Sequence, residues 1–208
     1  MIVIVDYGLG NLLSVEKAIR RLNTEVIISS EVSVIEKASK LILPGVGNFN
    51  KGMENLAKGG LFQVLNQKVL DERTHILGIC LGMQLLMTSS DEGDKKGLNW
   101  IKGKSVYFKA PEEERLKIPL LGWNNVDLVQ NDNPLFSKFD VVDQFYFAHS
   151  YHASEVEASC IATTSDYGSV KFTSSIRKEN IFGVQFHPEK SHDQGIKLLK
   201  NFIEYSDV

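Results

Sequence analysis

Residues 75–87 constrain the fold more than any other stretch of this chain. His75-Ile-Leu-Gly-Ile79 is a β-like apolar run, and over 81–87 the apolar residues recur at helical spacing. Cys80 stands at the joint, inside Gly78-Ile-Cys-Leu-Gly82. Small residues two before and two after the cysteine let the backbone turn sharply. A strand can then pass straight into a helix and leave the thiol exposed at the helix N-terminus, the nucleophile-elbow pattern with Cys in place of Ser. There the helix dipole and free N–H groups favour thiolate over thiol. The ordinary alternative is a buried, inert cysteine. Cys160, in Ala158-Ser-Cys-Ile161, lacks the elbow context and keeps that reading.

The first half of the chain repeats the alternation of strand and helix. Ile2–Val5 reads as a fully buried strand, followed by the loop Asp6-Tyr-Gly-Leu-Gly-Asn11 and a helix marked by Leu12, Val15, Ile19 and Leu22. Val26–Ser29 and Lys40-Leu-Ile-Leu-Pro44 are further strands, the latter stopped by Pro44-Gly-Val-Gly47, and Leu61, Phe62, Leu65 and Val69 mark another helix. Such alternation predicts an α/β fold, a largely parallel central sheet with helices on both faces. The second half reads as strands at 145–147, 161–164, 170–173 and 181–186, an antiparallel extension, closed by a helix with Ile196, Leu199, Phe202 and Ile203. Pro111-Glu-Glu-Glu-Arg115 is a charged, solvated loop. No repeat or linker divides the chain, so 1–208 is expected to be one domain.

Composition removes several classes of function. With 23 Lys+Arg against 26 Asp+Glu and 43% hydrophobic residues, the chain has ordinary globular usage, and nothing points to nucleic acid or an anionic membrane. Two cysteines make no disulfide framework, and they are too far apart in the chain to suggest zinc. The N-terminus lacks a signal peptide's basic n-region, and no apolar run reaches the ~18 residues of a membrane span. In Asp6-Tyr-Gly-Leu-Gly10, Leu13 stands where a dinucleotide fingerprint needs its third glycine. The expectation is a soluble cytoplasmic protein with no cofactor and no metal.

A thiolate nucleophile needs a proton carrier held by an orienting group. Of the five histidines, His187 is the informative one, because it opens His187-Pro-Glu189 after a strand. Pro188 biases His187 toward extended backbone, and residues two apart in an extended segment face the same side. Glu189 can thus lie beside the imidazole. An oxyanion hole is the third requirement. Gly45-Val-Gly47, through Val46 and Gly47, can supply N–H groups, with the N–H of Leu81 as partner.

Gly78-Ile-Cys-Leu-Gly-Met-Gln84 with His187-Pro-Glu189 resembles the triad glutaminase domain of class I glutamine amidotransferases. Asp6-Tyr-Gly-Leu-Gly-Asn11, Pro44-Gly-Val-Gly47, Gly122-Trp-Asn124, Tyr146-Phe-Ala-His-Ser-Tyr151 and His187-Pro-Glu-Lys-Ser191 narrow the resemblance to glutaminase subunits of imidazole glycerol phosphate synthase, of histidine biosynthesis. The resemblance implies hydrolysis of glutamine to glutamate and ammonia through a thioester on Cys80. It also implies a heterodimer with a (β/α)₈ cyclase subunit, which receives the ammonia and makes imidazole glycerol phosphate and aminoimidazole carboxamide ribotide. By motif, Gly47, Gln84, Ser150 and Tyr151 would line the glutamine pocket. Asn11, Trp123, Tyr146 and Lys190 would face the partner; the plainer reading of Trp123 and Tyr146 is aromatic core.

Two departures stand out. The family usually reads Pro-His-Met-Gly-Trp-Asn where this chain has Pro119-Leu-Leu-Gly-Trp-Asn124, and Asn48 replaces a common alanine. The missing histidine is expected toward the partner face, which leaves open a paralogue supplying ammonia for amidino groups on bacterial surface sugars. Two further readings are a partnerless hydrolase of the same fold and a silent scaffold. The partner-side motifs argue against the first, and the intact Cys80, His187 and Glu189 against the second.

Overall fold

Strand β1 (Ile2–Val5) is buried along its whole length, yet its side chains divide by parity. Ile2 and Ile4 enter one hydrophobic core, and Val3 and Val5 enter another on the opposite face. A strand covered on both sides must be apolar throughout, and the period-2 alternation sorts it. The computed structural model describes residues 1–139 and 142–206; the expected domain 1–208 thus includes four residues outside the description.

In chain order β1 is followed by α1 (Leu12–Arg20), β2 (Val26–Ser29), α2 (Val32–Ile35), β3 (Lys40–Gly45), α3 (Phe49–Leu56), α4 (Leu61–Asn66), β4 (His75–Cys80) and α5 (Leu81–Leu85). Helix α4 runs on through a π-helical turn, Gln67–Asp71. The second half contains β5 (Ser89–Ser90), β6 (Lys104–Tyr107), β7 (Leu120–Asn125), β8 (Asp127–Leu128), β9 (Gln144–His149), β10 (Tyr151–Ser154), β11 (Ile161–Tyr167), β12 (Val170–Lys178), β13 (Ile181–Val184) and α6 (His192–Glu204).

The strands β2-β1-β3-β4-β13 are parallel throughout. From β13 the sheet continues antiparallel through β12, β10 and β6, the short β5 joins β6 in parallel, and β11 and β8 branch from β12. A separate ribbon pairs β7 with β9. The parallel centre with an antiparallel extension is therefore the fold the alternation predicted, but the extension is larger. β6, β7, β8 and β10 carry too little apolar alternation to have shown as strands. α2 and α3 were missed for a related reason: α2 is one turn long, and α3 carries Gly52, a poor helix former. Asn48, the departure from the family's alanine, N-caps α3 by accepting from Lys51 N at 3.1 Å.

Two cores sandwich the sheet. α3, α4 and α5 cover one face with Phe49, Leu56, Leu65, Met83 and Leu85; α1 and α6 cover the other with Val15, Ile19, Leu198, Leu199 and Phe202. Each large side chain so buried contributes about 2 kcal/mol relative to exposure. The two central strands place the site. Gly45 of β3 lies in register with Cys80, and Val184 of β13 with Ile79. The chain leaving β13 therefore emerges beside the cysteine.

Candidate active site

Cys80 closes β4 with φ +54 and ψ −110, and α5 starts at the next residue. A side chain in this backbone region costs of order 1–3 kcal/mol and persists only where the surroundings enforce it. Here the enforcement comes from close backbone packing. A Cβ on Gly82 would sit 1.7 Å from the carbonyl oxygen of Leu43, and one on Gly78 would sit 2.8 Å from the backbone of Gly82 and Met83. Only glycine lets α5 settle this tightly against β3 and β4, and the thiol at their joint is buried, at 5% exposure, where the elbow pattern predicted an exposed one.

His187 follows β13, its N–H donating to Tyr146 O at 2.8 Å. Its Nδ1 hydrogen-bonds Glu189 Oε1 at 2.8 Å, with the two side chains 3% and 1% exposed. The imidazole also hydrogen-bonds Cys80. The expected His–Glu contact is present, but the geometry behind it differs from two alternating residues on one extended segment. His187 is extended, whereas Pro188–Lys190 is a 3-10 turn that brings the carboxylate round to the ring. Ser191 fixes this turn, its Oγ donating to His187 O at 2.6 Å and accepting from Tyr146 N at 3.0 Å. Burial works against a charged His187, but the hydrogen bonds and charges of Cys80 and Glu189 prevail and push its pKa up to about 10. The imidazolium is the resting form at neutral pH.

Above the sulfur lies a cleft of about 270 Å³ lined by Val46, Gly47, Cys80, Leu81, Gln84, Ser150 and Tyr151, together with Glu92, Pro119, Ala148 and His149. All the residues expected at the oxyanion hole and the glutamine pocket thus meet at one cavity. Gly47 has φ +122, a backbone open to glycine and closed to most side chains. His187 and Glu189 sit beside this cleft and do not line it.

Two neighbours of the sulfur were not foreseen, Gln185 and Tyr7. Gln185 donates through Nε2 to Cys80 Sγ at 3.7 Å. Tyr7 buries its hydroxyl with no hydrogen-bond partner among the described residues, and burial together with the Cys80 charge pushes its pKa up. His149 donates from Nδ1 to Tyr151 O at 2.8 Å. Burial, aided by the charges of His152 and His187, drives it down to about 3, so it stays neutral. Glu92 was also missed; its Oε2 accepts from Phe49 N at 2.8 Å. His149 was in view only as part of the motif Tyr146-Phe-Ala-His-Ser-Tyr151, with no role attached to it.

The residues expected to face a partner form a separate cluster. Trp123 and Tyr146 are register partners across the β7–β9 ribbon, with their rings 6.1 Å apart, edge to face. Trp123 stacks on His192 at 5.0 Å, and Lys190 Nζ lies 5.7 Å from the Tyr146 ring centre. Trp123 is 43% exposed and is no core aromatic, while Phe145 and Phe147, flanking Tyr146, point inward. Asn11 caps α1 by accepting from Ser14 N, and α1 packs against the Pro188–Lys190 turn. The expectation for the missing family histidine needs correction. Leu120 takes its place in register with His149 and is buried, because strand parity turns position 120 inward and leaves Leu121 exposed.

Among the described residues no helix is long and apolar enough to cross a membrane. Residues 3–205 match the family Glutamine amidotransferase class-I. A protein named imidazole glycerol phosphate synthase subunit HisH 2, from Methanococcus maripaludis, is 48% identical over 98% of this chain and 99% of its own. A protein of the same name from Pseudomonas aeruginosa is 43% identical over the same shares, and the HisH subunit of Sulfurimonas denitrificans is 44% identical over the full length of both. The fold also matches a solved glutamine amidotransferase with TM-score 0.75 over 97% of each chain, at 15% identity. The chain belongs to the class-I glutamine amidotransferase family, in the branch of the HisH subunits of imidazole glycerol phosphate synthase.

Proposed function

We propose that Cys80, His187 and Glu189 hydrolyse glutamine to glutamate and ammonia. The observation that carries this reading is the buried Cys80–His187–Glu189 series, with the 2.8 Å His–Glu bond, beside a cleft of amino-acid size. Glutamine enters with its α-ammonium toward Glu92, a carboxylate on the cleft wall, and its carboxamide toward Cys80. The thiolate attacks the carboxamide carbon, and the oxyanion forms against the N–H of Leu81 and those of Val46 and Gly47. His187 gives its proton to the departing nitrogen, so ammonia leaves and a γ-glutamyl thioester remains on Cys80. Water then attacks the thioester; His187 takes a proton from that water, and the thiolate departs as glutamate forms. Glu189 keeps the imidazole oriented and balances its charge.

The ammonia, on this reading, passes to a (β/α)₈ cyclase subunit bound as a heterodimer, which produces imidazole glycerol phosphate and aminoimidazole carboxamide ribotide. Support comes from the names of the relatives, from the exposed Trp123, and from the Tyr146–Lys190 pair beside it. None of the relatives named above points to a surface-sugar acceptor. Residues 1–208 would act as one amidotransferase unit of the cytoplasm, since one sheet runs through both halves of the chain.

The test is Cys80→Ser in the heterodimer. Glutamine-dependent synthesis should be lost and synthesis from ammonium salts retained. Loss of both in an assembled complex, or retention of both, would overturn the assignment.

A further inference from the structure

Two amides form a chain that ends on the sulfur. Gln84 Nε2 donates to the backbone carbonyl of Tyr151 at 3.0 Å and to Gln185 Oε1 at 3.1 Å. Gln185 Nε2 in turn donates to Cys80 Sγ at 3.7 Å. The direction of this chain is fixed at one end. A carbonyl can only accept, so Gln84 must present its NH₂ to Tyr151. The same nitrogen meets Gln185 Oε1, and Gln185 must therefore turn its own NH₂ to the sulfur. Reversing either amide would set donor against donor or acceptor against acceptor. Gln185 is fully buried and Gln84 is 4% exposed, so water offers little compensation.

The backbone is pinned as well. Gln185 N donates to Ser174 O of β12 at 2.9 Å, just beyond the end of β13. Gln185 and His187, two residues apart, thus both reach Cys80 from one anchored segment. A donor aimed at sulfur favours its anionic form, and it removes a rotational freedom that the imidazole alone would leave.

We propose that Gln185 is a positioning residue for the nucleophile: its amide, oriented by Gln84 from the Tyr151 carbonyl, holds the Cys80 sulfur as thiolate in the attacking rotamer. Because Tyr151 lines the glutamine cleft, the chain also ties the substrate wall to the sulfur. The proposal rests on Cys80 being the nucleophile.

The test uses Gln185→Met, which keeps length and bulk but has no donor, and Gln185→Glu, which places an acceptor at the sulfur. Alkylation of Cys80 by iodoacetamide is followed against pH by peptide mass in the full chain. In parallel, kcat and KM for glutamine are measured with the partner subunit present. His187, Glu189, Tyr7, His149, Tyr151 and Glu92, the titratable groups around the sulfur and the cleft, stay unchanged. The alkylation midpoint should move up by about one pH unit in Gln185→Met, the worth of one charge-assisted hydrogen bond, and further in Gln185→Glu. In Gln185→Met kcat should fall about tenfold with KM nearly unchanged. Alkylation profiles that superimpose on the parent's, whatever happens to stability, would overturn the proposal. So would a raised KM at constant kcat, which would mark a substrate contact. If Gln185→Glu fails to fold, Gln185→Met decides alone. A parent Cys80 no more reactive than free cysteine would instead bring down the nucleophile reading itself.

Discussion

Replacing Gly82 with alanine should damage both fold and chemistry, because the added Cβ meets backbone that cannot move aside. It would lie 1.7 Å from the Leu43 carbonyl oxygen and 2.8 Å from the carbonyl carbon. Ordinary contact requires α5 and β3 to separate by roughly 1.5 Å, and β3 is clamped between β1 and β4 in the centre of the sheet. Overpacking typically costs ~1–3 kcal/mol, and a clash with main chain belongs at or above the upper end. For a chain of this size about 3 kcal/mol lowers the thermal midpoint by roughly 6–12 °C. Displacing the sulfur by about an ångström should cost of order a hundredfold in kcat. The control is Gly59→Ala, at φ +61 with nothing within 4 Å of the new Cβ. It carries only backbone strain of about 1 kcal/mol and should leave turnover intact. Thermal denaturation and glutamine hydrolysis of both variants make the comparison. A Gly82→Ala protein that melts no lower than Gly59→Ala and keeps its turnover would refute the packing account of the elbow.

Four other outcomes follow from the same geometry. His187→Asn should lower glutamine turnover by about 10³-fold or more, and Glu189→Gln less, since the carboxylate orients the base without carrying the proton; equal losses in kcat would contradict those roles. His149 is buried neutral with its pKa down at about 3. The unfolded chain therefore binds the extra proton first, and stability falls as pH drops below about 6.5, by up to ~1.4 kcal/mol per pH unit. Urea midpoints at pH 7 and pH 5 should diverge less in His149→Phe than in the parent; parallel losses would exclude that source. His187 works the other way. Its raised pKa contributes stability that is present below about 6.5 and fades as pH rises through about 10. Trp123→Ala should uncouple the halves of the enzyme, with glutamine consumed faster than synthase product appears; unchanged stoichiometry would remove Trp123 from the partner face.

The legible parts of the sequence were those whose chemistry is local. Gly78-Ile-Cys-Leu-Gly82 carries its own turn, so the elbow and the parallel sheet around it could be read directly. His187-Pro-Glu189 likewise holds its own hydrogen bond, although a 3-10 turn makes the contact. What escaped depends on pairing across the chain. Gln185 reaches a sulfur 105 positions away, and Glu92 lies in a short acidic loop with no periodicity to mark it. Position 120 was misplaced for the same reason. Whether it faces a partner or the core depends on the register of β7 with β9, which neither strand shows alone. The short β6 and β10 owe their existence to the neighbouring sheet rather than to their own pattern.

The central claim is that Cys80 carries the glutamyl group during turnover. The direct measurement is intact-protein mass spectrometry of the complex, acid-quenched within a turnover after mixing with glutamine. The parent should show a glutamyl adduct that maps to Cys80 and disappears on treatment with hydroxylamine, and Cys80→Ser should show no such thioester. Glutamine hydrolysis at full rate with no adduct on Cys80, or an adduct that survives in Cys80→Ser, would contradict the account.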